Sequence, residues 1–265
     1  MQHILTTILL CCLLDTQAQQ RPYQKLVWSD EFNGVGLPDS TKWSYDIGDG
    51  CPNVCGWGNH ELQYYTVKRA ENAAVSNGLL TITARKEATH GMGYSSARLV
   101  TRGKASWKYG RIEVKAKLPK GLGIWPAIWM LPEHQVYGPW PNSGEIDILE
   151  YVGFWPDSVI TTFHTKNYNG MYGTQQTQLL HTTTMHDQFH VYEMEWTSEY
   201  ISVYMDKKLI NRFANEHKGY ETWPFDQEFH LLLNVAVGGD FGGRKGLDEK
   251  IFPQMMQIDY VRVYQ

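Results

Sequence analysis

Three carboxylic acids crowd one short segment, Ser143-Gly-Glu-Ile-Asp-Ile-Leu-Glu-Tyr-Val-Gly153. Glu145 and Asp147 are two residues apart, so on a strand both side chains point to the same face. Glu150 falls on the opposite face unless one extra residue bulges out near Ile148-Leu149. With that bulge all three acids share a face, while Ile146, Ile148, Leu149 and Tyr151 turn mainly to the core. A helix serves worse, because positions five apart diverge by about 140°. Aligned acids are solvated, salt-bridged or functional. Four strand steps separate Glu145 from Glu150, about 13 Å between Cα atoms. Two leaning glutamates can then bring their carboxyls to about 5–6 Å. Cleavage of a glycosidic bond with retention needs about 5–5.5 Å between a nucleophilic carboxylate and a proton-donating carboxyl. Asp147, between the two, can hydrogen-bond the nucleophile, and its charge favours a protonated neighbour.

The surrounding chain supplies the strands this geometry requires. Beyond residue 23 no ten-residue stretch carries a 3.6-residue apolar period, whereas short alternating runs recur. Ile112, Val114, Ala116 and Leu118 alternate with charged residues, and Ile201, Val203 and Met205 repeat the pattern before a turn at Asp206. Leu79–Arg85, Val159–His164, Phe189–Trp196 and Ile258–Tyr264 are further strand candidates. His230–Val237 is almost continuously apolar, as a strand covered on both faces would be. Many strands without helices and without a linker predict an all-β, two-sheet sandwich or barrel in one domain over residues 19–265.

Composition narrows the partners. Among 265 residues are 10 Trp, 16 Tyr and 9 Phe, and the formal net charge is −4. No basic block is present, which argues against nucleic acid and anionic membranes as partners. Aromatic faces with polar tips suit sugar rings. Residues 4–14 form an apolar run too short for a membrane span and suited to a signal peptide, with a small-residue cleavage site after Ala18. The expectation is a signal peptide over residues 1–18 and a secreted or periplasmic protein. Cleavage leaves Cys51 and Cys55, most simply a small disulfide in an exported chain. A zinc site using His60 would lack an identifiable fourth ligand.

The acidic run resembles the E-x-D-x-x-E signature of glycoside hydrolase family 16 in its bulged, laminarinase-like form. The resemblance extends over nearly the whole mature chain, through Trp28-Ser-Asp-Glu-Phe-Asn33, Gly56-Trp-Gly-Asn-His-Glu-Leu-Gln-Tyr-Tyr-Thr66 and Ser96-Ala-Arg-Leu-Val-Thr101. It continues through Tyr109–Glu113, Gly123–Pro132, Gly138–Glu145, Trp223-Pro-Phe-Asp226, Asn234–Gly239 and Asp259–Tyr264. It implies a β-sandwich jelly roll of two curved antiparallel sheets with a concave substrate cleft. It also implies Glu145 as nucleophile, Asp147 as assisting acid and Glu150 as general acid/base. Arg98 and Asn59 lie in blocks that line the donor side, where they can hydrogen-bond sugar hydroxyls. His164 is similar to a family histidine near the leaving group, or is an ordinary strand histidine. Trp125 and Trp129 share a face and either stack on glucose rings or pack in the core. Trp140 and, more weakly, Trp107 are further stacking candidates.

No cofactor is implied for catalysis, but a structural calcium on the convex face is, with Glu31, the Gly78 carbonyl and Asp259 as matching positions. Glu31 and Asp259 are equally readable as surface acids. Two other motifs carry no function. His186 and His190 have metal-like spacing only on a helix, and this segment alternates like a strand. The glycine-rich 238–246 stretch fits no phosphate loop and reads as a cleft-rim loop. The function expected is endo-acting hydrolysis of laminarin-type β-1,3-glucan by a monomer. Mixed-linkage glucan, an algal galactan, or non-catalytic glucan recognition are the alternatives. Relatives confined to recognition lose the acids, and here all three are present.

Overall fold

Alternating burial organises residues 22–265, the portion described by the computed structural model, into strands. The expected signal segment lies outside the described residues. In chain order the strands are β1 (Leu26–Asp30), β2 (Ser44–Asp46), β3 (Gln63–Tyr65), β4 (Ala73–Ser76), β5 (Leu79–Thr89) and β6 (Met92–Ser96). They continue as β7 (Arg98–Val100), β8 (Gly110–Lys117), β9 (Ile124–Pro132), β10 (Glu145–Glu150), β11 (Ser158–His164) and β12 (Gln176–His181). The last are β13 (His190–Trp196), β14 (Tyr200–Met205), β15 (Lys208–Ala214), β16 (Phe229–Val237) and β17 (Gln254–Tyr264). Two short 3-10 turns, Cys55–Gly58 and Glu249–Ile251, are the helical elements among the described residues.

Seven strands form one sheet in the order β12-β11-β10-β9-β16-β7-β2. Ten form the other, with β15-β14-β13-β8-β17-β5-β6-β3 as its path, β1 added to β17 and β4 to β5. Pairing is antiparallel except between β3 and β6. This is the jelly roll expected, and β10 with its three acids lies within the smaller sheet.

The core lies between the sheets because each strand sends alternate side chains inward. On β8 these are Ile112, Val114 and Ala116; on β9, Ile128 and Met130; on β16, Leu231, Leu233 and Val235, all at most 1% exposed. Both faces of β16 are buried, as its continuous apolar run required. Trp107, a weaker stacking candidate, is buried in this core with its ring 5.4 Å from that of Trp28, so it does not reach the cleft.

The three positions implied for calcium fall on or beside neighbouring strands of the larger sheet. Glu31 follows Asp30, which pairs with Val261 of β17, and Gly78 precedes β5, whose Leu80 pairs with Ile258. Asp259 sits where the register of β17 against β8 shifts. Oxygen is the ligand type calcium takes. Both carboxylates already face cations, however: Arg262 donates to Glu31 at 2.9 and 2.8 Å, and Lys115 lies 2.6 Å from Asp259. A calcium ion here must displace two side-chain cations.

Candidate active site

The register of β10 breaks against both neighbours between Asp147 and Glu150. Ile148 and Leu149 both enter the core, fully buried, and the parity of the strand is reset by one residue. Glu145, Asp147 and Glu150 consequently share the face of the sheet turned away from the core. Gly144, just before them, holds φ +86, and a Cβ there would lie 2.8 Å from Pro224 Cγ, so a larger residue would push the entry to β10 off its seat.

Register also aligns the rest of the site into rows across the sheet. Asp46 pairs with Arg98, Arg98 with Asn234, Asn234 with Ala127, and Ala127 with Glu150. A parallel row runs Val100, Leu232, Trp129, Asp147, Thr162, Thr177. The acids therefore stand mid-sheet, with β9, β16, β7 and β2 on one side and β11 and β12 on the other.

Each glutamate is held by an indole. Trp140 Nε1 donates to Glu145 Oε2 at 2.6 Å, and Trp125 Nε1 donates to Glu150 Oε1 at 3.0 Å. His164 Nε2 lies 3.4 Å from Asp147 Oδ2, and its ring centroid is 5.8 Å from that of Trp140. Burial pushes the Glu145 carboxyl up to about 8, reinforced by the Asp147 charge and opposed by His164. Burial likewise pushes Glu150 up to about 7, opposed by His164 and by hydrogen bonds from Trp125 and Thr162. Asp147 is raised by burial and by the Glu150 charge, and its hydrogen bond with Glu145 works the other way. Buried carboxyls this near one another cannot all ionise, and a hydrogen bond links Glu145 with Asp147.

The wall on the β7 side is a buried polar network. Trp129 Nε1 donates to Asn234 at 2.6 Å, Asn234 donates to the Tyr65 hydroxyl at 3.0 Å, and Tyr65 donates to Glu61 at 3.3 Å. Gln63 donates to Glu61 at 2.6 Å and Asn59 at 3.3 Å. The Arg98 guanidinium lies 3.8 Å from both Glu61 and Asp46, under the rings of Trp57, Tyr65 and Trp129 at 4.2, 4.7 and 5.3 Å. Burial raises the Glu61 carboxyl, and Arg98 with the amide and hydroxyl donors pulls it back. The Cys51–Cys55 disulfide closes the loop that delivers Trp57 and Asn59 to this wall.

All six expected substrate residues thus gather around the acids, Arg98 buried, Asn59, Trp125, Trp129 and His164 partly buried, and Trp140 exposed at 41%. Sequence reasoning singled out none of Trp57, Glu61, Tyr65, Thr162 and Asn234. Of these, Trp57, Glu61, Tyr65 and Asn234 lay inside blocks already noted. Phe241, in the glycine-rich rim loop, packs edge-on against Trp125 at 5.5 Å. A Cβ on Gly242 would lie 2.8 Å from Trp125 Cβ, so this loop must be small where it meets the indole. Of the two histidines with metal-like spacing, His190 bonds Asp206 and Thr184, and His186 the Leu118 carbonyl.

Two glutamates brought to one face of a β-sandwich supply the pair of carboxyls that glycoside hydrolysis uses, and comparison agrees with that class. Residues 60–262 match the model of the family described as "Glycosyl hydrolases family 16", and the chain belongs to that family. It is 52% identical over 270 residues to the β-glucanase of Rhodothermus marinus, covering 99% of this chain and 93% of that one. The crystal structure of the laminarinase from Rhodothermus marinus superposes with a TM-score of 0.88 at 54% identity, covering 92% of this chain and 99% of that one. SCLam, a non-specific endo-β-1,3(4)-glucanase of the same family, superposes at 0.86 with 46% identity over 92% of this chain and 95% of that one. That structure is of a mutant with an oligosaccharide at the active site.

Proposed function

We propose that this protein hydrolyses β-1,3-glucan at internal bonds with retention, using Glu145 as nucleophile and Glu150 as general acid/base. The register shift in β10 carries this reading, because it alone brings the second glutamate to the face of the first. In the first step Glu145 attacks the anomeric carbon as its bond to the leaving oxygen breaks, and Glu150 transfers its proton to that oxygen. In the second, Glu150 takes a proton from water, which displaces Glu145 and restores the anomeric configuration. A carboxyl at about 7 is partly protonated near neutrality, as a proton donor must be. Glu145 attacks only when the proton of its hydrogen bond with Asp147 sits on Asp147. The Trp140 indole N–H then stabilises the Glu145 carboxylate, and the Trp125 indole N–H does the same for Glu150 once its proton is given.

Strands on both sides of the acids leave room for sugar units on either side of the cleaved bond, which internal cleavage needs. Trp129 and Trp140 supply aromatic faces, while Arg98, Asn59 and Asn234 supply polar groups on the β7 side. The resemblance to a non-specific β-1,3(4)-glucanase favours tolerance of β-1,4 bonds as a second feature. Product analysis on laminarin, mixed-linkage glucan, agar and carrageenan tests both points. Release of β-configured oligosaccharides from laminarin is expected, and cleavage of the galactans alone would overturn the reading.

A calcium ion among Glu31, the Gly78 carbonyl and Asp259 is proposed as a structural element only. Saturation at a hundred times Kd adds about 2.7 kcal/mol to stability. For a domain of this size that is about 5–10 °C in Tm. Chelation should remove that increment and leave specific activity at low temperature unchanged. A Tm indifferent to both calcium and chelator rules the ion out.

Export is proposed from the apolar leader, and the disulfide is consistent with an oxidising compartment. Mass spectrometry of the exported protein should show a start near Gln19 and an intact Cys51–Cys55 bridge. A retained Met1 with free thiols would refute it.

A further inference from the structure

The acids form a second kind of site with His164. One ligand atom each from Glu145, Asp147 and His164 lie within 4.8 Å of one another, the one such group among the described residues. Asp147 is 3% exposed, and no hydrogen bond reaches its Oδ2, which faces His164 Nε2 at 3.4 Å. A buried carboxylate oxygen without a donor costs free energy that a cation would recover. The imidazole and the two carboxylates reach this pocket from β10 and β11, whose pairing sets Glu145 opposite His164. Rigid strands therefore hold the donors in place before any ion arrives.

We propose that Glu145, Asp147 and His164 bind a zinc-class divalent cation, and that this cation and the glucan exclude one another. One imidazole nitrogen and two carboxylate oxygens are ligand types that zinc accepts, and three such ligands leave a further position to water. The same set discriminates against calcium and magnesium, which prefer oxygen alone. The ion would take the place of the proton in the hydrogen bond between Glu145 and Asp147, so the Glu145 carboxylate is no longer free to attack. Zinc at this site acts as a reversible inhibitor. The binding arm stands on the ligand geometry, whereas the exclusion arm rests on the function proposed above.

Titration calorimetry of the whole protein with zinc chloride, in a buffer that does not chelate, tests the binding arm. One site is expected, weakened at least tenfold by His164→Gln and again by Asp147→Asn, with each variant checked by its Tm. His60→Ala, at an exposed histidine paired with Asp240, should leave the affinity as it was. Calcium chloride should not displace the bound zinc. Zinc affinity untouched by both cleft substitutions, or abolished by His60→Ala, overturns the site. A laminarin oligosaccharide at saturation should lower zinc affinity by the factor its own occupancy predicts. Zinc affinity lost in the cleft variants yet indifferent to the oligosaccharide overturns the exclusion and leaves the site.

Discussion

Glu145→Ala abolishes hydrolysis of every substrate, by a factor on the order of 10⁴ or more, because no glycosyl-enzyme can form. Glu150→Ala removes the proton donor, a loss of about 10²–10⁴ that depends on the leaving group. A sugar alkoxide leaves poorly without a proton, so polysaccharide cleavage falls steeply. An activated aryl glycoside leaves unaided, so its first step survives and the covalent intermediate accumulates. Azide then restores turnover in the Glu150 variant by attacking that intermediate, giving a β-configured glycosyl azide. In the Glu145 variant azide replaces the missing carboxylate on the free substrate and gives the α-configured azide. Nuclear magnetic resonance of the two products reads the difference directly. Identical anomers, or wild-type hydrolysis with inversion, would defeat the assignment of roles.

The second large effect falls on stability. Arg98→Met removes a buried cation and leaves Glu61, 4% exposed, without its charge partner. Stripping one member from a buried pair costs about 3–5 kcal/mol. At about 2–4 °C per kcal/mol the Tm should fall by about 10 °C. Glu61 is already raised by burial, and loss of Arg98 raises it further. A protonated Glu61 needs no cation, so the deficit should shrink as pH is lowered towards 5. Adding Glu61→Gln to Arg98→Met removes the stranded charge and should recover much of the Tm at neutral pH. Affinity for glucan stays weak in both, since Trp57, Tyr65 and Trp129 have lost the guanidinium that their rings cover. A double variant no more stable than the single one would mean that Glu61 was never charged by virtue of Arg98.

These two experiments probe parts of the site that differed in how far the sequence displayed them. The acids were legible because a strand has only two faces, so the spacing of Glu145, Asp147 and Glu150 demanded a bulge or a different fold. The strand carrying Ile112, Val114 and Ala116 was legible for the same reason, and its observed burial alternates without a break. The Glu61 network was not. Its bonds join Asn234 to Tyr65 and Trp129 to Asn234 across separations of 169 and 105 residues. Local alternation says that Glu61, Gln63 and Tyr65 share a face, but not which strand receives it. Trp107 failed for a related reason: an indole suits a sugar face and a core equally, and only the register beside Phe229 places it inside. The charges of Arg262 and Lys115 likewise became partners of Glu31 and Asp259 only through pairing between strands.

The bulge in β10 makes the length of this segment and the orientation of its acids separable. Deleting either Ile148 or Leu149 would leave five residues from Glu145 to the second glutamate, and plain alternation would then set the three acids on one face unaided. What such a deletion forfeits is one aliphatic side chain from the core, about 2–5 kcal/mol by analogy with large-to-small substitution. Deleting Ile146 instead would turn Glu145 to the opposite face from Asp147. A deletion is thus tolerable at one point of the strand and ruinous two residues away. Evolution can shorten this site by a residue there without passing through an ancestor that has lost its chemistry.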